Sequence, residues 1–244
     1  LLQQGGSGYP RSECTFRGAT ALESVDITNI VAVSYYEFAD CPNLIRFHGK
    51  DGPVGVLNLE SLQRYPSDTS MTSPTARNAF YKCPGIQHIT SLGSIPYIKH
   101  SMFSTCLNLE DVNLPLTCTG VNDNAFDGDS KLTTINLSHV TYIGSSVFNG
   151  CSSLEYCGVD SPQGELNLPN LTGTLGNNAF KGCVKLTSVA SLGSITSIGS
   201  SAFENCTQLS NINFPNTLTS VGANAFNNTA LEDVTLPSQC VNLQ

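Results

Sequence analysis

Phenylalanine returns along this chain at Phe16, Phe38, Phe80, Phe103, Phe126, Phe148, Phe180, Phe203 and Phe226. The intervals are 22, 42, 23, 23, 22, 32, 23 and 23 residues, so six of eight are 22 or 23. The flanks return as well. Five residues before Phe stands an apolar residue (Val33, Ile98, Val121, Ile143, Leu175, Ile198, Val221). Four before is often Gly, three after is often Cys, and six after is Leu or Ile. Nine after is apolar again, as at Val112, Ile135 and Val189. A unit of about 23 residues cannot bury its own apolar face, but stacked units can. The chain is therefore expected to wind into coils, each Phe, Cys and Leu resting on its counterpart in the next.

The end of each unit has period 2, as in Val112-Asn113-Leu114. That suits a short strand with alternate residues inward. One such strand per coil would pair with its neighbours as a parallel sheet. Pro115, Pro215 and Pro237 end the strand, lacking an N–H for the ladder. The small-residue segment A-F-x-x-C predicts a short helical turn on the opposite side. Asn124, Asn178 and Asn224, two before Phe, are expected to satisfy backbone groups of that turn.

Composition narrows the function classes. Charged residues make up 12% of the 244, about half the roughly 25% usual for a soluble domain. Ser, Thr and Asn take their place, at 72 residues. No apolar run approaches the roughly 18 residues of a membrane-spanning helix. A net charge of −8 with 11 Lys and Arg offers no basic footprint for nucleic acid. Residues 1–10, which include QQGGSGY at 3–9, have the composition of a flexible linker.

The consensus I-x-x-I-G-x-x-A-F-x-x-C-x-x-L-x-x-I-x-L-P resembles the BspA-like leucine-rich repeat family, over roughly residues 11–240. The resemblance implies an α/β repeat fold: a right-handed leucine-rich-repeat solenoid. A parallel β-sheet would line its concave face, with short helical or 3-10 turns opposite. Residues 11–244 would form one domain of about nine repeats, with insertions near 48–74 and 158–170. It also implies a secreted or cell-surface protein of host-associated bacteria or parasitic protists, of a kind generally regarded as adhesins or protein-binding modules. The two insertions share a phrase, Gly55-Val-Leu-Asn-Leu59 and Gly164-Glu-Leu-Asn-Leu168, and each is expected to add an extra short strand. The stretches Arg64 to Ser73 and Gly158 to Gly164 would then be surface loops.

Ten Cys in a secreted chain would suggest a disulfide framework. The register argues for core thiols instead. Cys41, Cys83, Cys106, Cys151, Cys183 and Cys206 hold the position three after Phe, and Cys157 replaces the apolar residue nine after. Cys118 and Cys240 lie three after a Pro, where Leu218 stands in another repeat. A free Cys behaves as a small buried hydrophobe, and parallel neighbouring side chains seldom meet disulfide torsions. Cys14 alone sits at a usually polar position. With no C-x-x-C pair, no metal site is expected.

No catalytic signature occurs among the four His or around the Ser residues. The chain is expected not to be an enzyme and to need no cofactor. A strand through the residue nine after Phe sends its two neighbours outward. One outward column reads Ser24, Arg46, His88, Asp111, Thr134, Tyr156, Ser188, Asn211 and Asp233. The other reads Asp26, His48, Thr90, Asn113, Asn136, Gly158, Ala190, Asn213 and Thr235. His48, His88 and Asp111 are placed to approach one another. A solenoid builds a long binding surface from residues the fold does not need, and Arg and Tyr are favoured at interface hot spots. The candidate ligand-binding residues are Arg46, His48, His88, Asp111, Asn113 and Tyr156. The expected partner is a protein or extracellular-matrix ligand, or a glycan, bound by a monomer. The alternatives are a spacer array presenting another domain and a carbohydrate-binding module. Asn136, Asn170, Asn205 and Asn227 each open an N-x-S/T sequon, which matters only in a eukaryotic secretory pathway.

Overall fold

The structure, a computed structural model, describes residues 15–63, 76–158 and 161–243. The linker expectation for residues 1–10, Cys14 and the whole loop from Arg64 to Ser73 lie outside the described residues. The chain forms a solenoid of short parallel strands in two walls. The front wall contains β1 (Val56–Asn58), β2 (His88–Ser91), β4 (Asp111–Val112), β6 (Thr134–Ile135), β8 (Glu165–Asn167), β10 (Ser188–Ser191) and β12 (Asn211–Ile212). The rear wall contains β3 (Tyr97–Ile98), β5 (Gly120–Val121), β7 (Tyr142–Ile143), β9 (Thr172–Leu175), β11 (Ser194–Ile198), β13 (Ser220–Val221) and β14 (Asn242–Leu243). All strand pairs are parallel; Asp111 faces Thr134 in front and Val121 faces Ile143 behind, and the register shifts by a residue in the β1–β2, β8–β10 and β9–β11 pairs. The earlier coils join the front wall through single bridges such as Ser24 to Arg46. Both insertion phrases form strands as expected: β1 pairs with β2, and β8 with β10.

Each wall turns one row of apolar side chains inward. Leu57, Ile89, Val112, Ile135, Leu166 and Val189 are buried from the front. Ile98, Val121, Ile143, Leu175 and Ile198 are buried from the rear. Between them the phenylalanines stack in one column from Phe16 to Phe226, with centroids 5.2–5.7 Å apart and planes within 19°. Such ring pairs contribute about 0.5–1.5 kcal/mol beyond their buried area.

The A-F-x-x-C segment departs from the expectation. Among the described residues there is no helix; the segment is a run of overlapping turns. The cause is a left-handed backbone on both sides of Phe. Two before it, Asn78, Ser101, Asn124, Ser146, Asn178, Ser201 and Asn224 have φ between 51 and 58°. Two after it, Lys82, Thr105, Gly128, Gly150, Gly182, Asn205 and Asn228 have φ between 56 and 82°. A right-handed helix cannot pass through such residues. Asn thus serves the turn through its tolerance of positive φ. The side-chain-to-backbone bonding falls one residue earlier, where Asp123 Oδ1 accepts from Ser145 N–H (2.7 Å) and Asn177 Oδ1 from Ser200 N–H (2.9 Å). Within the turns, N–H groups alternate between local acceptors and the next coil. Phe80 N–H donates to Met102 O at 2.9 Å, Phe103 to Ala125 O and Phe126 to Val147 O.

The cysteine position follows from this. The Phe carbonyl accepts the N–H of its own coil's Cys and also the thiol of the next coil's Cys. The thiol distances are 2.8 Å for Cys83 to Phe38 O, 3.2 Å for Cys106 to Phe80 O and 3.1 Å for Cys206 to Phe180 O. A small, weakly polar group fits that slot better than a fully apolar one. All nine described cysteines are free, and eight are buried. Burial raises their pKa values, to about 12 for Cys118, Cys157 and Cys206. The outer Ser, Thr and Asn side chains also bond to the neighbouring coil. Thr219 Oγ1 donates to Thr196 O at 2.9 Å, and Asn108 Nδ2 donates to Pro84 O at 2.9 Å. That is one use the described Ser, Thr and Asn residues find.

Candidate functional site

The outward faces of the front strands carry the two predicted columns, with additions. Because β1 lies between the Arg46 bridge and β2, Arg46 bridges to Val54 on one side while Val56 faces His88 on the other, and after a register shift Asn58 faces Ser91. Likewise β8 brings Glu165 and Asn167 in after Tyr156 and Gly158. These four residues were missed as members of the columns. The repeated phrase that marks both extra strands was the signal that could have placed them.

The inserted strand changes which candidates meet. His88 and Asp111 face each other across β2 and β4, and His88 Nδ1 lies 2.5 Å from Asp111 Oδ2. Their side chains are 37% and 45% exposed. His48 does not join them, being a strand further away. It bridges instead to Asp26, whose carboxyl pKa is lowered chiefly by the Thr28 hydroxyl, 2.7 Å away. Arg46 turns toward the first insertion, and its Nη1 donates to Gly52 O at 2.5 Å. Asn113 lies beside the His88–Asp111 pair, with Nδ2 donating to Thr90 O at 3.0 Å. Tyr156 bridges to Thr134 and is 39% exposed.

Between β4 and residue 158 the front wall sinks into an open depression of about 510 Å³. Asp111, Val112, Asn113, Thr134, Asn136 and Gly158 line it. Gly158 continues the column of Asn113 and Asn136 without a side chain, and that gap opens the depression. Nearby, Glu155 pairs with Lys185 at 3.8 Å and with Gln163 Nε2 at 2.9 Å. Among the described residues, no group of three or more His, Cys, Asp or Glu converges to hold a metal ion. Nor, among them, is any helix long and apolar enough to cross a membrane.

A family model described as a BspA type leucine rich repeat region matches residues 72–163 and 160–244, in six copies. No curated protein sequence matches the chain. Among solved structures, a leucine-rich repeat protein from Bacteroides ovatus is similar at 24% identity and a TM-score of 0.70. The match covers 90% of this chain and 53% of that one, so the chain spans about half the length of that protein. A leucine rich cell surface protein from Faecalibacterium prausnitzii is similar at 22% identity and a TM-score of 0.51, covering 100% of this chain and 75% of that one. A leucine-rich repeat protein from Eubacterium ventriosum is similar at 16% identity and a TM-score of 0.52, covering 94% and 77%. At these identities the likeness concerns the fold.

Proposed function

The chain belongs to the BspA-type leucine-rich repeat family, and from that premise we propose that it is the binding module of a secreted or cell-surface adhesin, using the front wall to hold host or microbial surface molecules. One observation carries the reading. Two outward columns run the length of the front wall, and the fold makes no use of many of their side chains. His88, Asp111 and Tyr156 are partly exposed there and put charge, hydrogen bonding and an aromatic face along one surface. A solenoid wall offers such a surface at about 4.8 Å per strand. The chemistry present suits recognition rather than turnover. The only His–Asp pair among the candidates serves as two neighbouring hydrogen-bonding groups on an open face.

The test is a binding screen against extracellular-matrix proteins, surface extracts and glycans. It compares the chain with a variant in which Arg46, His48, His88 and Tyr156 are all Ala. Capture by the chain and its loss in the variant is the expected result. Because Arg46 also holds Gly52, a triple variant retaining Arg46 controls for loosening of the insertion. Capture that survives both variants would move the site off the front wall. No capture at all would favour a spacer array that presents another domain.

A further inference from the structure

We infer that the depression between β4 and Gly158 is a subsite for a neutral sugar unit, making a glycan the ligand class of the front wall. This rests on the reading of that wall as a binding face. The observation behind it is what the lining leaves available. Asn113 Nδ2 is spent on Thr90 O, which leaves its Oδ1 as an acceptor. Asn136 Oδ1 is spent on the N–H and Oγ of Ser138 (3.1 and 2.8 Å), which leaves its Nδ2 as a donor. The two residues directly follow the neighbouring strands β4 and β6, which are spaced by about 4.8 Å. One fixed acceptor beside one fixed donor matches adjacent ring hydroxyls, each of which can donate and accept. Asp111 offers Oδ1, while Oδ2 is held by His88. Gly158 leaves the column open where a third Asn would close it. Tyr156, 39% exposed, bridges to the lining residue Thr134 and so puts an aromatic side chain next to the depression's lining.

Other ligand classes fit less well. An anion would meet Asp111 and no lining Lys or Arg, on a chain of net charge −8. An apolar ligand would find a single apolar residue, Val112, and would leave the amides unpaired. A cation would find one carboxylate, shared with His88, and no second acid in the lining. The volume, about 510 Å³, lies within the range of roughly 300–1,000 Å³ of small-ligand sites.

The experiment is a titration of the whole chain, followed by amide NMR, with glucose, galactose, mannose and N-acetylglucosamine, and with a sialylated and a sulfated sugar. At least one neutral sugar should give saturable shifts at residues 111–113, 134–136 and 158, and the anionic sugars should give none there. Asn136→Ala should weaken that binding about tenfold, as expected for one lost hydrogen bond in a polar site. Gly158→Asn should abolish it. The added Cβ would meet Ser161 Oγ at 2.5 Å, so Asn136→Ala and Tyr156→Ala keep the test valid if that variant misfolds. Oligosaccharides from neutral polysaccharides and from glycoproteins then separate the two sources. Shifts elsewhere, no shifts with any neutral sugar, or preference for an anionic sugar would overturn the inference. If protein ligands are still captured and lost in the Arg46, His48, His88, Tyr156 variant, the sugar inference falls alone and the binding face stands.

Discussion

Asp129 occupies a thiol's place. It lies three residues after Phe126, where six other coils carry Cys, and its side chain is wholly buried. Its Oδ1 accepts from Cys106 N–H at 2.7 Å, while its Oδ2 has no hydrogen-bond partner. Burial pushes its pKa well above the ordinary carboxylate value. A raised folded-state pKa has a defined sign. The stability it contributes is complete below the unfolded value of about 3.9 and is lost as pH rises toward the folded value. Melting temperature should therefore fall as pH rises from about 4, and Asp129→Cys should flatten that slope in scans across pH. The same change restores the thiol-to-carbonyl bond and removes an orphaned oxygen, which should add about 1–3 kcal/mol at neutral pH by denaturant titration. The sequence identified the cysteine slot as apolar, which burial bears out. It could not reveal the thiol bond to the preceding Phe carbonyl, because that acceptor belongs to another coil.

Among the elements, the front strand was legible and the turn was not. Period-2 patterning and the closing Pro are local signals, so the strand at Val112 or Ile135 could be read directly. The left-handed residues around Phe alternate among Asn, Ser, Thr, Lys and Gly, which hides their common conformation. The Gly four before Phe answers to packing between coils: a Cβ on Gly176 would sit 2.2 Å from the carbonyl of Gly144. Backbone cannot yield as a side chain does, so Gly176→Ala should cost about 1–3 kcal/mol, the range for overpacking. Phe148→Ala opens the ring column between Phe126 and Phe180 and should cost about 3–5 kcal/mol. Urea unfolding of both variants would check the ranking. The candidate site was half legible. Asp111, Asn113 and His88 share a patch as the columns predicted, but His48 was separated by a strand that breaks the 23-residue count.

Across the whole molecule, reactivity should follow burial. Among the nine described cysteines, the eight buried thiols should resist alkylation in the folded chain, and Cys240, which is only partly buried, should react before them. Mass spectrometry of labelled peptides would show this order, and early labelling of Cys151 or Cys183 would contradict it. The turn wall has a further property. From Phe16 to Asn227, its backbone-to-backbone bonds between coils point one way, the N–H of each coil toward the carbonyl of the following one. Peptide dipoles of about 3.5 D, aligned in file, add up along the axis. The solenoid is thus electrically polar, positive toward the Phe226 coil and negative toward the Phe16 coil, opposite in chain sense to an α-helix. Asn224→Asp at the positive end should gain about 0.3–1 kcal/mol at low ionic strength, and Asn224→Lys should lose a similar amount. Both effects should fade in high salt. A repeat chosen for stacking has also become a molecular battery, and each added coil lengthens it.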